Sequence, residues 1–198
     1  MVPGPMTDKQ SGRLFVISGP SGVGKTVLCF RMSKMFGQCL KVAVSATSRS
    51  SRPGEIDATD YFFFTRQKME ELIKTGQLAE WAVVHDNFYG TPKAFLEENR
   101  RKGIHILLNI DVQGSRKIRQ VYPEAITIFI APPSLQVLEE RLRKRKSDSE
   151  EVLQKRLQNA RMELGFEQDY HHVLVNNELE CAVDDLAKLI KKYLPLVP

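Results

Sequence analysis

Short apolar runs alternate with amphipathic stretches along most of this chain. Arg13–Ser18, Ile104–Ile110 and Ala125–Ile130 read as strands, since largely unbroken apolar runs of this length suit strands buried on both faces. Between them the period becomes helical. The spacing predicts helices over Lys25–Phe36, near Gln113–Val121, over Ser134–Arg145 and over Glu178–Tyr193, with Val173–Asn176 a last short strand. Val27, Leu28, Phe30, Met32 and Met35 are the apolar positions of the first helix, and Leu135, Leu138 and Leu142 share a face of the third. Strands alternating with helices imply an α/β protein, a parallel sheet covered by helices on both sides.

Two stretches break the alternation. Between about Ser45 and Pro92 the chain turns polar and aromatic, and Tyr61–Phe64 and Gln77–Val84 read as strands of a different, antiparallel sheet. From about Arg141 to Arg156 it is dense in charge: Arg141, Arg143, Lys144, Arg145 and Lys146 precede Asp148, Glu150, Glu151, Lys155 and Arg156. Interruptions of this kind suit a substrate-binding module and a closing lid. The segmentation expected is a disordered tail over 1–11, core over 12–44, 95–140 and 158–198, an insertion over 45–94 and a lid over 141–157.

Composition narrows this picture only slightly. A chain of 198 residues, 42% apolar and 27% charged, suits one soluble domain with a substantial core. The net charge of +5 fits an anionic small-molecule substrate at least as well as a nucleic acid, so no nucleic-acid partner is expected. No apolar run approaches a membrane span and no secretory pattern opens the chain, so no membrane is expected either. Cys29, Cys39 and Cys181 form no metal or redox motif and read as reduced cytoplasmic thiols. His85, His105, His171 and His172 read as surface or packing residues. Oligomeric state is not legible.

Chemistry enters at Gly19-Pro20-Ser21-Gly22-Val23-Gly24-Lys25-Thr26, directly after the run Leu14–Ile17. Two glycines, then lysine, then a hydroxyl residue make the phosphate-binding pattern: inward backbone N–H groups and a helix N-terminus attract an anion. Lys25 would reach the outer phosphates of a nucleoside triphosphate and Thr26 would bind Mg²⁺. A glycine-rich turn that binds nothing would need neither residue. In Ser45–Glu55, Arg49 and Arg52 stand beside several hydroxyls, as a second phosphate clamp or as a solvated basic loop. Tyr61, Tyr89 and Thr91 add hydroxyls. Glu80 and Asp111 add carboxylates able to accept from the adjacent N–H groups of guanine, a donor pair that adenine lacks.

These segments together resemble the guanylate kinase family. The likeness rests on GPSGVGKT (Gly19–Thr26), VSATSRSSRPGE (Val44–Glu55), DYFF (Asp60–Phe63), EWAVVHDNFYGTP (Glu80–Pro92), NIDVQG (Asn109–Gly114), RLRKRKSDSEEVLQKRL (Arg141–Leu157) and VLVNN (Val173–Asn177). It runs from roughly Arg13 to Tyr193. It implies a P-loop kinase core, a mixed or antiparallel GMP-binding insertion and a helical lid, transferring the ATP γ-phosphoryl group to GMP with Mg²⁺. By this likeness Arg49, Arg52, Tyr61 and Tyr89 would hold the GMP phosphate. Ser45, Glu80, Thr91 and Asp111 would read guanine, and Glu55 would fix the loop. Gly19, Pro20, Ser21, Gly22, Val23, Gly24 and Lys25 would hold ATP, with Thr26 on the metal and Asn176 near the adenine. Arg141, Arg145 and Arg156 would neutralise the transferring group, alongside Lys25 and Arg49.

The chain departs from the family at several positions. Asn109 stands where a carboxylate is usual, Ser48 for threonine, Lys146-Ser147 for glycine-threonine and Asn177 for aspartate. Two other readings fit the resemblance: a related scaffold domain binding phosphopeptides through the monophosphate site, or a P-loop kinase for another monophosphate. The intact triphosphate loop and the lid arginines speak against the first. Glu80 and Asp111 together speak against the second.

Overall fold

Every side chain of β1 (Leu14–Ser18) is buried in the protein's computed structural model, which describes residues 11–84, 86–144 and 150–194. From β1 the chain passes through α1 (Lys25–Phe36) and β2 (Leu40–Val42). It then enters a second unit of β3 (Ser45–Thr47), β4 (Tyr61–Phe63), α2 (Arg66–Lys74), β5 (Leu78–Val84) and β6 (Asn87–Pro92). It returns through α3 (Lys93–Arg101), β7 (His105–Asn109), α4 (Val112–Val121), β8 (Ile126–Ala131) and α5 (Leu135–Lys144). The last elements are α6 (Glu150–Leu164), β9 (His172–Val175) and α7 (Leu179–Tyr193).

The main sheet has the order β2-β7-β1-β8-β9 with every pairing parallel. Alternation along β1 builds two cores from it. Leu14 and Val16 meet Leu96 of α3 and Ile118 of α4. Phe15 and Ile17 meet Leu28 and Met32 of α1, Leu138 of α5, Leu157 of α6 and Leu186 of α7. With helices on both faces, the loops at the carboxyl ends of the strands are the natural ligand edge. Among the described residues no helix is long and apolar enough to cross a membrane.

The second sheet, β4-β3-β6-β5, is mixed rather than purely antiparallel: β3 and β4 run parallel, and the other pairs antiparallel. The long loop from Ser48 to Asp60 returns the chain to the same end, which makes a parallel neighbour possible. Met69 and Leu72 of α2 cover this sheet with Ala46 and Leu78. Thr65 caps α2 by accepting from the Lys68 N–H at 3.1 Å.

The apolar positions of α1 divide between its two faces. Its buried residues are Leu28, Cys29 and Met32, while Val27, Phe30 and Met35 are 46%, 58% and 49% exposed. Cys29 takes the inward place one residue after Leu28, and its burial pushes the thiol up to about 12. Leu135 lies at the rim of its face, while Leu138 and Leu142 are buried. Three histidines pack as the pattern suggests: His105 accepts from the Arg13 N–H, His171 meets Thr127, and His172 meets the Tyr193 hydroxyl at 2.6 Å. His85 lies outside the described residues.

Leu186 of α7 is fully buried against the sheet. Leu186→Ala should cost about 2–5 kcal/mol, read as a lower urea midpoint with an unchanged slope. An unchanged midpoint would mean that α7 is not part of the cooperative core.

Candidate functional site

The loop after β1 needs its glycines. Gly19 has φ +132°, and a Cβ there would lie 2.2 Å from the Ile130 carbonyl oxygen of the neighbouring strand. Gly24 caps α1 in the left-handed region without a side-chain cap, leaving the first-turn amides to face a ligand. The Lys25 ammonium donates to the Gly19 and Pro20 carbonyls at 2.5 and 3.0 Å, folding over the loop from within. Asn176, only 4% exposed, donates through Nδ2 to the Val23 carbonyl at 2.7 Å. Its Nδ2 therefore props the loop from behind. Arg141 lies against the same turn, donating to the Asn176 and Asn177 carbonyls at 2.9 Å each.

A cavity of about 310 Å³ runs from this loop to the second sheet. Ser21, Lys25 and Thr26 line one end; Ser45, Tyr61, Glu80, Tyr89 and Asp111 line the other. Asn109 stands between them, with its amide 3.2 Å from the Thr26 hydroxyl. A hydroxyl and an amide are hard donors. Among the described residues no group of three His, Cys, Asp or Glu side chains could hold a metal alone. The pair therefore fits a cation such as Mg²⁺ that takes its other ligands from a bound phosphate and water.

Glu80 is 5% exposed and accepts from the Thr91 hydroxyl at 2.7 Å. Burial pushes its carboxyl up to about 7, and the Asp111 charge adds to the rise, while Thr91 and Lys117 oppose it. Asp111 caps α4 by accepting from the Gly114 N–H at 2.7 Å. A Cβ at Gly114 would stand 2.8 Å from Glu80 Oε2, so helix backbone lies directly on the acid. Glu163 of α6, also raised by burial, to about 6, feels Lys25 and Asp111.

The arginines stand off the cavity. Arg49 is held by Glu55 through two hydrogen bonds of 2.9 Å, touches the Tyr89 hydroxyl at 3.3 Å, and lies over the Tyr61 and Phe63 rings. Glu55 also accepts from the Arg52 N–H at 2.7 Å, and these bonds lower its carboxyl below the usual range. Arg52 is exposed, Arg156 lies on α6, and Arg143 ties Glu139 to Glu150 across the start of α6. Arg145, Lys146 and Ser147 lie outside the described residues. Gly114, Lys117 and Glu163 were not foreseen as site neighbours. The NIDVQG motif contains Gly114, but only the fold shows what approaches it.

The guanylate kinase family model matches residues 11–193. A guanylate kinase from Desulfitobacterium hafniense is 42% identical over 92% of this chain and 91% of its own length. One from Fusobacterium nucleatum is 44% identical over 91% and 96%. The crystal structure of guanylate kinase from Anaplasma phagocytophilum superposes with a TM-score of 0.74 at 32% identity, covering 93% of this chain and 87% of that one.

The folded Glu80 carboxyl lies near 7 and an unburied one near 4.5, so folding stability falls as pH rises through that window. A carbon-13 NMR titration should find the Glu80 midpoint near 7, and Glu80→Gln should flatten the fall. A midpoint near 4.5 would contradict this environment.

Proposed function

The chain belongs to the guanylate kinase family and is an ATP:GMP phosphotransferase, and we propose that it divides the task between the two ends of its cavity. Loop amides from Gly19 to Gly24 and the Lys25 ammonium bind the ATP phosphates, Lys25 exchanging its carbonyl partners for phosphate oxygens. Asn176 serves ATP indirectly, by holding the loop. Glu80 and Asp111, with Ser45 and Thr91, read guanine. Arg49, Arg52, Tyr61 and Tyr89 bind the GMP phosphate, and Glu55 orients Arg49. Mg²⁺, bound with ATP beside Thr26 and Asn109, supplies neutralisation of phosphate charge.

What carries this reading is a carboxylate pair, buried Glu80 and half-buried Asp111, in the same cavity as the glycine-rich loop with Lys25 and Thr26. Transfer needs in-line placement of two anions that repel each other, with little covalent work by the protein. Arg141 and Arg156 do not line the cavity, so the insertion (45–94) and the lid (141–157) close to bring them to the transferring group, together with Arg145. Closure also excludes water, which would otherwise accept the phosphoryl group. The reduced-thiol reading of the cysteines suits a cytoplasmic enzyme. The comparisons do not favour the scaffold alternative.

An ADP-release assay with GMP, AMP, CMP and UMP tests this. GMP should exceed the others by about a hundredfold or more, since a site built to accept two N–H donors rejects bases lacking them. No turnover with GMP, together with binding of a phosphopeptide, would overturn the enzymatic reading. Restoring a carboxylate beside Thr26 by Asn109→Asp should raise apparent Mg²⁺ affinity roughly threefold to tenfold. An unchanged Mg²⁺ titration would remove Asn109 from the metal's surroundings.

A further inference from the structure

α4 meets β5 at two points on one helix face. At the first, the missing side chain of Gly114 lets the helix rest on Glu80 Oε2 and Asp111 Oδ1, which a Cβ would approach to 2.8 and 3.2 Å. At the second, one turn on, half-buried Lys117 donates to the carbonyl oxygen of Trp81, the residue after Glu80. The same ammonium lies 4.2 Å from the centroid of the Trp81 ring, a cation on an aromatic face. A lysine on a solvated helix would hold its charge in water; this one is fixed at both its hydrogen bond and its ring contact.

The groups facing Glu80 can be named element by element. Thr91 of β6 donates a neutral hydrogen bond, Asp111 at the cap of α4 brings a like charge, and Lys117 of α4 brings the opposing one. A buried acid beside a second acid favours its protonated form, which cannot accept two N–H groups. Of the two charges named here, Asp111 favours the protonated acid and Lys117 the ionised form able to read guanine, while the Lys25 ammonium, in the same cavity, lies at its opposite end on the loop carbonyls.

We propose that Lys117 is a positioning residue for GMP: it clamps the Glu80–Trp81 segment of β5 onto α4 and keeps a fixed positive charge beside the guanine-reading acid. The inference rests on the assignment of Glu80 to the base. It makes α4 part of substrate selection, although its helix belongs to the core and Glu80 to the insertion.

The test compares the wild type with Lys117→Met and Lys117→Arg, measuring KM for GMP and for ATP at pH values on both sides of 7. In the wild type, KM for GMP rises as pH falls through that value, because Glu80 becomes protonated. Lys117→Met should displace this rise upward by about one pH unit. At pH 7 the ionised fraction then falls from about a half to about a tenth, and KM for GMP rises about fivefold. At higher pH the two curves converge, KM for ATP is unmoved, and Lys117→Arg follows the wild type. A Lys117→Met curve that coincides with the wild type overturns the proposal. So does a rise by one constant factor at every pH, shared by Lys117→Arg, which is what packing alone would produce. Lys117→Gln serves the same comparison if Lys117→Met does not fold. Failure of the wild type to phosphorylate GMP overturns the reading of Glu80 and this inference together. Normal wild-type turnover with an unresponsive Lys117→Met overturns this inference alone.

Discussion

Because β1 is buried on both faces, the chain can leave it only at the carboxyl edge of the sheet, and the backbone that does so is confined from every side. Gly19 passes beneath the Ile130 carbonyl where no side chain fits, and the Asn176 amide holds Val23 from behind. A loop so restrained carries its inward amides in place before any phosphate arrives. That is the preorganisation on which binding of a highly charged ligand depends. Strands of the same sheet end at this edge, which brings Asn109 from the end of β7 and Asn176 from just beyond β9 to the loop, while Asp111 lines the far end of the same cavity.

The second requirement is to hold another anion close to the first without placing both on one rigid surface. The mixed sheet suits it by carrying the residues proposed for the monophosphate on a unit with its own small core around Met69 and Leu72. Glu80 crosses that division. It sits on a strand of the insertion, where burial and the Thr91 hydrogen bond dominate its ionisation, yet the charges that add to these, Asp111 and Lys117, belong to α4 and its cap. The setting of Glu80 thus depends on how the two units are docked, and the close approach of α4 to its carboxylate depends on Gly114, where a Cβ would lie 2.8 Å from Oε2.

Much of this was legible in the chain itself. The buried strands and the longer helices follow from hydrophobic period, and the triphosphate loop from its glycines, lysine and threonine. What escaped was governed by contacts distant in sequence. β2 and β3 are each three residues, too short for a period to register. The inward face of α1 depended on Cys29, whose modest hydrophobicity was outweighed on paper by Val27, Phe30 and Met35. Lys117 reads as an ordinary helix-surface cation until the fold places Trp81 beneath it. The bond of the Asn176 side chain to the loop backbone at Val23 joins residues far apart in sequence and becomes visible only in the fold.

The Arg49–Glu55 pair has a further meaning for how a nucleotide finds the enzyme. Both nitrogen ends of the guanidinium already face a carboxylate, so the charge of Arg49 is largely cancelled at a distance. A phosphate binding there as proposed would meet Arg49 as a short-range partner, by sharing or displacing Glu55, and exposed Arg52 would be left to act over longer range. The clamp is built to sort ligands at contact more than to draw them in. If Arg49 takes the GMP phosphate as proposed, any dianion must compete with an internal carboxylate for the same fork, so discrimination would begin there, before the base is read.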